Sequence, residues 1–414
     1  MKGLTERWGI SREGAAVGVA GIIAFLLILI LVLVQLLRPI PSVGPTPLQP
    51  VSHQLGPTPP DLPWPTTGSA AVAVEGLGMI GAHGPQTPQP LASTVKMMTA
   101  LVILEDHPLA LAQQGPTILI GADDVATYQR ERDQGQSVFP VQAAEQLSEY
   151  QALQALLIPS GNNVAELLAT WDGGSLSAFV GKMNVRAMSA GLSQTKYTDA
   201  SGFSPDSVGT PADLIKLAQL AMANPVFAEI VKQPEATLPV AGRVFNVDAA
   251  LGQEGIIGVK TGSSPQAGAC FVFAADVSAD NQAARVYGVV MGLPTLDEAF
   301  TRSTGLVHAV VPGLHNRSII STLQVIAEYS APWGDQSTMF VERDVNWVVY
   351  DGMAQHETTD LKPLKPPVAS GTFVGSVTVQ VGDRKTTIPL RTNGGIFEPD
   401  IFWRLTRLGS SSLF

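Results

Sequence analysis

Leu91-Ala92-Ser93-Thr94-Val95-Lys96-Met97-Met98-Thr99-Ala100 is the stretch on which the reading of this chain turns. The apolar run from Met97 to Leu104 predicts a helix, and on a helix Ser93 and Lys96, three residues apart, share a face. That spacing pairs a hydroxyl nucleophile with a base. Ser93 would lie at the helix start, where free backbone N–H groups and the positive end of the dipole favour a developing negative charge. Taken alone, the same four residues also suit an N-cap serine followed by a solvated lysine, so the rest of the chain has to decide.

Two later stretches bear on it. Ser160-Gly161-Asn162-Asn163 follows a predicted helix, Ala143 to Leu157, that stops at Pro159, and it precedes a second, Val164 to Trp171. A hydroxyl and an amide two residues apart form a compact hydrogen-bonding station. Further on, Ile256-Ile257-Gly258-Val259-Lys260-Thr261-Gly262-Ser263 predicts a strand carrying a K-T-G triplet. A lysine in a strand of buried character is costly unless it has a partner or a task, and Gly262 lets a ligand backbone come close. Gly268 to Val277 and Arg285 to Met291 read as further strands, and Ala70 to Ile80 as a strand or hairpin edge leading to Ser93. Thr117 to Ile120 reads as a short strand. Thr210-Pro211-Ala212-Asp213 opens a structural helix with Thr as N-cap and Pro at the first position.

The ends of the chain differ from this middle. Ala15 to Leu37 is an uncharged apolar run, about 34 Å long as a helix and enough for a hydrocarbon core of about 30 Å. Residues 15–37 are therefore expected to span a membrane. Lys2, Arg7 and Arg12 precede the run and Arg38 follows it, which puts residues 1–14 in the cytoplasm and the rest on the outer side. Residues 38–67 form a proline-rich linker. Pro39 to Pro65 is expected to run as an extended spacer, able at about 3.1 Å per residue to hold the next domain roughly 80 Å from the membrane. Residues 68–314 are expected to form the domain that holds all three stations. Beyond His315 alternating strand patterns take over, so residues 315–414 are expected to form a mostly β domain, with a final strand in Phe402 to Phe414.

Composition narrows the function. A net charge of −10, with no basic patch, argues against nucleic-acid binding. The single cysteine, Cys270, leaves no disulfide framework and sits in an apolar run as a small core residue. Six histidines without close pairing give no metal site.

Ser93-Thr94-Val95-Lys96, Ser160-Gly161-Asn162 and Lys260-Thr261-Gly262 together match the S-x-x-K, S-x-N and K-T-G signature of penicillin-interacting serine enzymes. From about Ala70 to Gly313 the chain resembles the serine-type D-alanyl-D-alanine carboxypeptidases, the low-molecular-mass penicillin-binding proteins. Asp199-Ala200-Ser201-Gly202-Phe203 is similar to that family's segment before its T-P-x-D-L helix. Val95 stands where the family commonly has Thr, and Asn163 where it commonly has Asp.

The resemblance implies an α/β fold of the penicillin-binding protein and β-lactamase-like transpeptidase type, an antiparallel sheet flanked by helices, with a C-terminal β domain. It implies that Ser93 attacks the carbonyl of the penultimate D-Ala of a peptidoglycan stem peptide. The N–H groups of Ser93 and Ser263 would then form the oxyanion hole, and Ser160 would relay a proton to the leaving amine. Asn162 would hold the substrate amide, Lys260 and Thr261 the terminal carboxylate, and the strand around Gly262 would pair with the peptide. β-Lactams would acylate Ser93, and no metal or organic cofactor is required.

A serine needs a base, and a lysine serves only if its pKa falls far below about 10.4. If Lys260 came within about 4 Å of Lys96, their repulsion of roughly 4 kcal/mol would suffice, and burial would act in the same direction. Lys96 would then be neutral near pH 7 while Lys260, facing a substrate carboxylate, stays charged. A peptidoglycan endopeptidase shares all three motifs. A penicillin-binding wall or sensor protein is the non-enzyme alternative. A class A β-lactamase needs a glutamate well past the S-x-N station, and none occurs between Gly173 and Gly209.

Overall fold

A computed structural model of the chain describes residues 12–48 and 52–407. At its centre is a five-stranded antiparallel sheet, in the spatial order Ile256–Ser264, Gly268–Ala279, Gln282–Leu293, Ser69–Val74, Gly78–His83. Both faces are covered, and the period of two shows in how residues are shared out. Ala71, Ala73, Cys270, Val272 and Ala274 point into a core built with the helices Lys96–Asp106, Glu149–Leu157, Asn162–Gly173 and Pro211–Met222. Ala70, Val72, Val74, Phe271 and Phe273 point the other way, onto the helix Leu296–Val310. That second core continues without a break into Tyr350, Val377 and Ile388 of the C-terminal region.

Local signals set most helix starts. Thr210 Oγ1 accepts from Asp213 N at 3.2 Å with Pro211 at the first helical position. The helix expected from Ala143 begins only at Glu149, because Gln146–Ser148 pairs as a strand with Thr117–Leu119 and Ser148 then caps the helix through Gln151 N at 3.1 Å.

The C-terminal region contains a seven-stranded antiparallel sheet, and the proline-rich segment supplies both of its outermost strands. Pro45–Pro47 pairs with Ala327–Ser330 on one edge, and Ser52–Gln54 with Ala354–Leu361 on the other. Only four residues separate those two strands, so the edges approach within about 18 Å and the sheet must curl. This departs from the free spacer expected across Pro39 to Pro65. The segment is extended but strapped down, with Val43 and Leu364 exchanging hydrogen bonds at 2.9 Å and Leu55 N donating to Met353 O at 2.8 Å. Unpaired sheet edges with free N–H and C=O groups outcompete solvent for an extended chain.

The apolar N-terminal run is helical over Arg12–Leu37, and its side chains are bare from Glu13 to Leu31, with only Gln35 buried near its end. Lys2 and Arg7 lie outside the described residues. The final strand expected in Phe402 to Phe414 is, as far as it is described, a short helix, Ile401–Thr406, capped by Asp400 Oδ1 on Trp403 N at 2.7 Å. A good N-cap decides for the helix.

Candidate active site

Ser93 occupies a single 3-10 turn, Ala92–Val95, that leads straight into the helix beginning at Lys96. It is the one partly exposed residue in the buried run Leu91–Leu104. The turn is wedged between two glycines. A Cβ on Gly262 would lie 2.8 Å from Ser93 N, and one on Gly202 only 1.7 Å from the Ala92 carbonyl oxygen. The expected use of Gly262, admitting a ligand backbone, is thus supplemented by another: it lets the K-T-G strand lie against the nucleophile's own backbone.

Lys96 is fully buried and is not the solvated lysine of the bland reading. Its Nζ has three polar neighbours: Ser93 Oγ at 2.7 Å, Asn162 Oδ1 at 2.5 Å and the Ser201 carbonyl at 2.9 Å. The last two only accept. A neutral amine has two N–H bonds and one lone pair, so with both N–H groups donated there, the lone pair faces the Ser93 hydroxyl. Burial holds Lys96 well below the usual lysine value, with repulsion from Lys260 second, while Asp199 and Glu131 pull the other way. The sequence argument put the cation first; the structure reverses that order.

Ser160 is held at φ +64°, a left-handed conformation that a non-glycine residue adopts only when its surroundings impose it. Its Oγ accepts from Lys260 Nζ at 2.9 Å, and Lys260 also donates to Thr261 O at 3.1 Å. Burial draws Lys260 down to about 7, with Asp248 opposing. Without a substrate carboxylate beside it, Lys260 is therefore balanced between its two forms near neutrality. Asp248 is itself pushed up to about 6 by burial.

Several contributors carry no motif. Gln136 accepts from Asn162 Nδ2 at 2.6 Å, so both ends of the Asn162 amide are engaged within the protein. Asp199 gathers the Ser201–Phe203 turn, accepting from Gly202 N at 2.7 Å and Phe203 N at 2.9 Å, and so aims the Ser201 carbonyl at Lys96. Thr99 ties down the same turn through Ala200 O at 2.7 Å. Glu131, buried at the end of the helix Ala122–Asp133, is pushed up to about 8 by burial and then by Glu166. The two departures from the family pattern are also explained. Val95 is core, and Asn163 clamps Phe139 by accepting from its N–H at 2.8 Å and donating to its carbonyl at 2.9 Å, a pair that an ionised Asp could not complete.

Cys270 is buried beside the sheet, its thiol pushed up to about 11 by burial. A separate cleft of about 610 Å³ is lined by His107, Asp172 and Lys182 and shares no residue with the serine site. Its polar groups engage one another: Lys182 pairs with Asp172 at 2.7 Å and with Asp106 at 2.8 Å, and His107 Nε2 lies 3.0 Å from Asp172 Oδ1.

A partly exposed serine paired with a buried lysine, a second serine–lysine pair and a glycine strand against the nucleophile define a serine acyl-transfer enzyme of the penicillin-binding fold. Residues 69–295 match the peptidase S11 family, D-alanyl-D-alanine carboxypeptidase, and the chain belongs to that family. It is 36% identical to the D-alanyl-D-alanine carboxypeptidase DacB2 of Mycobacterium tuberculosis over 51% of this chain and 72% of that one. It is 30% identical to a D-alanyl-D-alanine endopeptidase of Pseudomonas aeruginosa, over 42% of this chain and 53% of the other. The crystal structure of DacD, a D-alanyl-D-alanine carboxypeptidase from Francisella tularensis, superposes with a TM-score of 0.60 over 82% of this chain and 96% of that one. At 19% identity that likeness speaks for the fold, the C-terminal β region included.

Proposed function

We propose that the chain removes the terminal D-Ala from peptidoglycan stem peptides through an acyl-enzyme on Ser93. The observation that carries this reading is the saturation of Lys96: with Asn162 Oδ1 and Ser201 O taking its two N–H groups, the proton of Ser93 is the one its lone pair can accept. The tetrahedral oxyanion then faces the N–H groups of Ser93 and Ser263. Ser160, backed by Lys260, passes a proton to the departing D-Ala amine. The substrate carboxylate is received by Lys260 and Thr261, and its negative charge raises the affinity of Lys260 for its proton, so binding completes the charge balance. Asn162 serves first to fix Lys96, and gripping the substrate amide requires its Nδ2 to leave Gln136. Gly262 and Ser263 offer the strand along which the peptide aligns.

The helix Arg12–Leu37 anchors the protein in the cell membrane as a single span, with the N-terminus inside and the catalytic body on the wall side. The strapped β domain then stands between membrane and active site.

Fluorescent penicillin supplies the test. It should leave a stable label on the wild type that is absent in Ser93→Ala and slowed about 10²–10⁴-fold in Lys96→Ala. A diacyl-L-Lys-D-Ala-D-Ala peptide should release free D-Ala. The endopeptidase name of one relative favours a second reading, for which the distinguishing result is cleavage of a cross-linked dimeric stem peptide without D-Ala release from the monomer. Full labelling of Ser93→Ala would overturn both.

A further inference from the structure

The end of the membrane helix is not left free. Arg407, 370 residues further along the chain, donates from Nη2 to the Gln35 carbonyl at 2.9 Å and the Arg38 carbonyl at 2.6 Å, and from Nη1 to the Pro39 carbonyl at 3.1 Å. Carbonyls at a helix C-terminus lack intrahelical partners, and a cation is the complement their dipole favours. The guanidinium lies 5.3 Å over the Trp403 ring, and Trp403 meets Trp333 edge-on at 5.2 Å. Gln35 is 8% exposed although the helix is bare from Glu13 to Leu31. This end of the chain is in turn bound to the β domain, by Phe397 N on Asp335 Oδ2 at 2.7 Å and by the bridge between Ile396 and Val368.

Three large apolar side chains nevertheless remain in the open beside this clasp: Phe397, Ile401 and Phe402, the last 75% exposed. The 26-residue helix is about 39 Å long, so with a hydrocarbon core of about 30 Å its last turn lies at the outer boundary. Whatever hydrogen-bonds to the Gln35 carbonyl is level with the lipid headgroups. Arg38, exposed just past the helix end, has no carboxylate partner among the described residues, which suits a headgroup phosphate, while Arg407 is buried against the carbonyls it holds. Tryptophan beside them suits the same layer.

We infer that Arg407 locks the membrane helix to the β domain and thereby sets Phe397, Ile401 and Phe402 into the outer lipid interface. The anchor is then not a swivel, and the serine site stands at a fixed height and orientation above the bilayer. This rests on the anchoring proposed above. A proline-rich tether left free would give the opposite arrangement, a body that samples all heights within its reach.

The test uses the full chain in phospholipid vesicles, with an environment-sensitive fluorophore on Phe402→Cys and, as reference, on Ala283→Cys in a hairpin of the catalytic sheet. Cys270 is buried and stays unlabelled. Lipids carrying a nitroxide at the headgroup should quench the 402 label several-fold more than the 283 label. Arg407→Ala should abolish that difference while the protein still resists an alkaline carbonate wash and still takes up penicillin. Equal quenching at 402 and 283 in washed, membrane-retained protein would overturn the inference, as would quenching that Arg407→Ala leaves unchanged. Efficient cross-linking of Phe402→Cys chains to one another without lipid quenching would assign the surface to a second copy instead. Loss of the protein in the wash would refute the anchor itself, a result separable from all of these.

Discussion

The serine centre and the proline-rich strap are both places where a strand lies against a distant piece of chain, and they are held in different ways. At the centre, Gly262 brings a backbone to within van der Waals limits of Ser93 N, and the two amines around it, Lys96 and Lys260, are buried and answered by specific acceptors. Along the strap, Pro45–Pro47 and Ser52–Gln54 are mostly exposed and hold on through the backbone ladder. The first contact depends on side chains and on the lack of one; the second depends on which N–H groups are available. Changes at the centre should therefore be severe and chemical, while changes in the strap should be mild and mechanical.

The largest effect is expected where the two backbones are closest. Gly262→Val places branched carbon where even a Cβ would be 2.8 Å from Ser93 N and 3.1 Å from Ala92 Cβ. Displacing a nucleophile by about 1 Å costs on the order of 10²-fold, so the second-order rate of penicillin acylation should fall at least that far. Thermal unfolding measured alongside separates a displaced serine from a collapsed domain. Unchanged acylation would show that the glycine contact does not position Ser93.

A smaller and graded effect is expected from pH. Lys96 has to lose its proton and Lys260 has to keep its own, so kcat/KM for a carboxylate-bearing substrate should be bell-shaped, its limbs belonging to the coupled pair. Lys260 lies at about 7 in the free enzyme. Above that it becomes neutral, and kcat/KM should decline roughly tenfold per pH unit. In the bound complex the substrate carboxylate favours the charged lysine, so the alkaline limb of kcat should lie at higher pH than that of kcat/KM. Lys260→Arg keeps the charge and should remove the alkaline limb even if the peak rate drops. A wild-type kcat/KM that keeps rising to pH 9 would exclude Lys260 as the required cation.

The contrast also explains what could be read in advance. Ser93, Lys96, Ser160, Asn162 and Lys260 are legible because each contributes a side chain at a motif position, and hydrogen bonds tie Ser93 and Asn162 to Lys96 and Ser160 to Lys260, whereas Thr261 enters that network only through its backbone carbonyl. Ser201 was not legible in this role, because it contributes a backbone carbonyl that any residue would supply, 105 positions from Lys96. Gln136 acts through a contact, and Asp248 through burial, that no spacing encodes. The C-terminal helix had a signal that went unused: Asp400 is a good N-cap, but six residues holding Trp403 and Leu405 in alternation also read as a strand.

The strap carried a legible signal too, and it supports the last and smallest prediction. Leu48 N donates to Ile326 O at 3.0 Å, and Thr46, paired with Glu328, lies two residues away in the same bonding phase. Pro45 and Pro47 fall in the opposite phase, where an edge strand turns its N–H groups outward. Proline is tolerated there, and its missing donors deny the edge to any further strand. Thr46→Pro should therefore remove one ladder bond and destabilise the β domain by about 1 kcal/mol, seen as a small fall in its thermal unfolding temperature, whereas Thr46→Val should be nearly neutral. Exchanging both Pro45 and Pro47 for Thr should leave the unfolding temperature almost unchanged but raise self-association, because the outer donors return. If Thr46→Pro proves as harmless as Thr46→Val, the strap lies along the sheet without being bonded to it, and the contrast with the serine centre becomes one between contact and mere proximity.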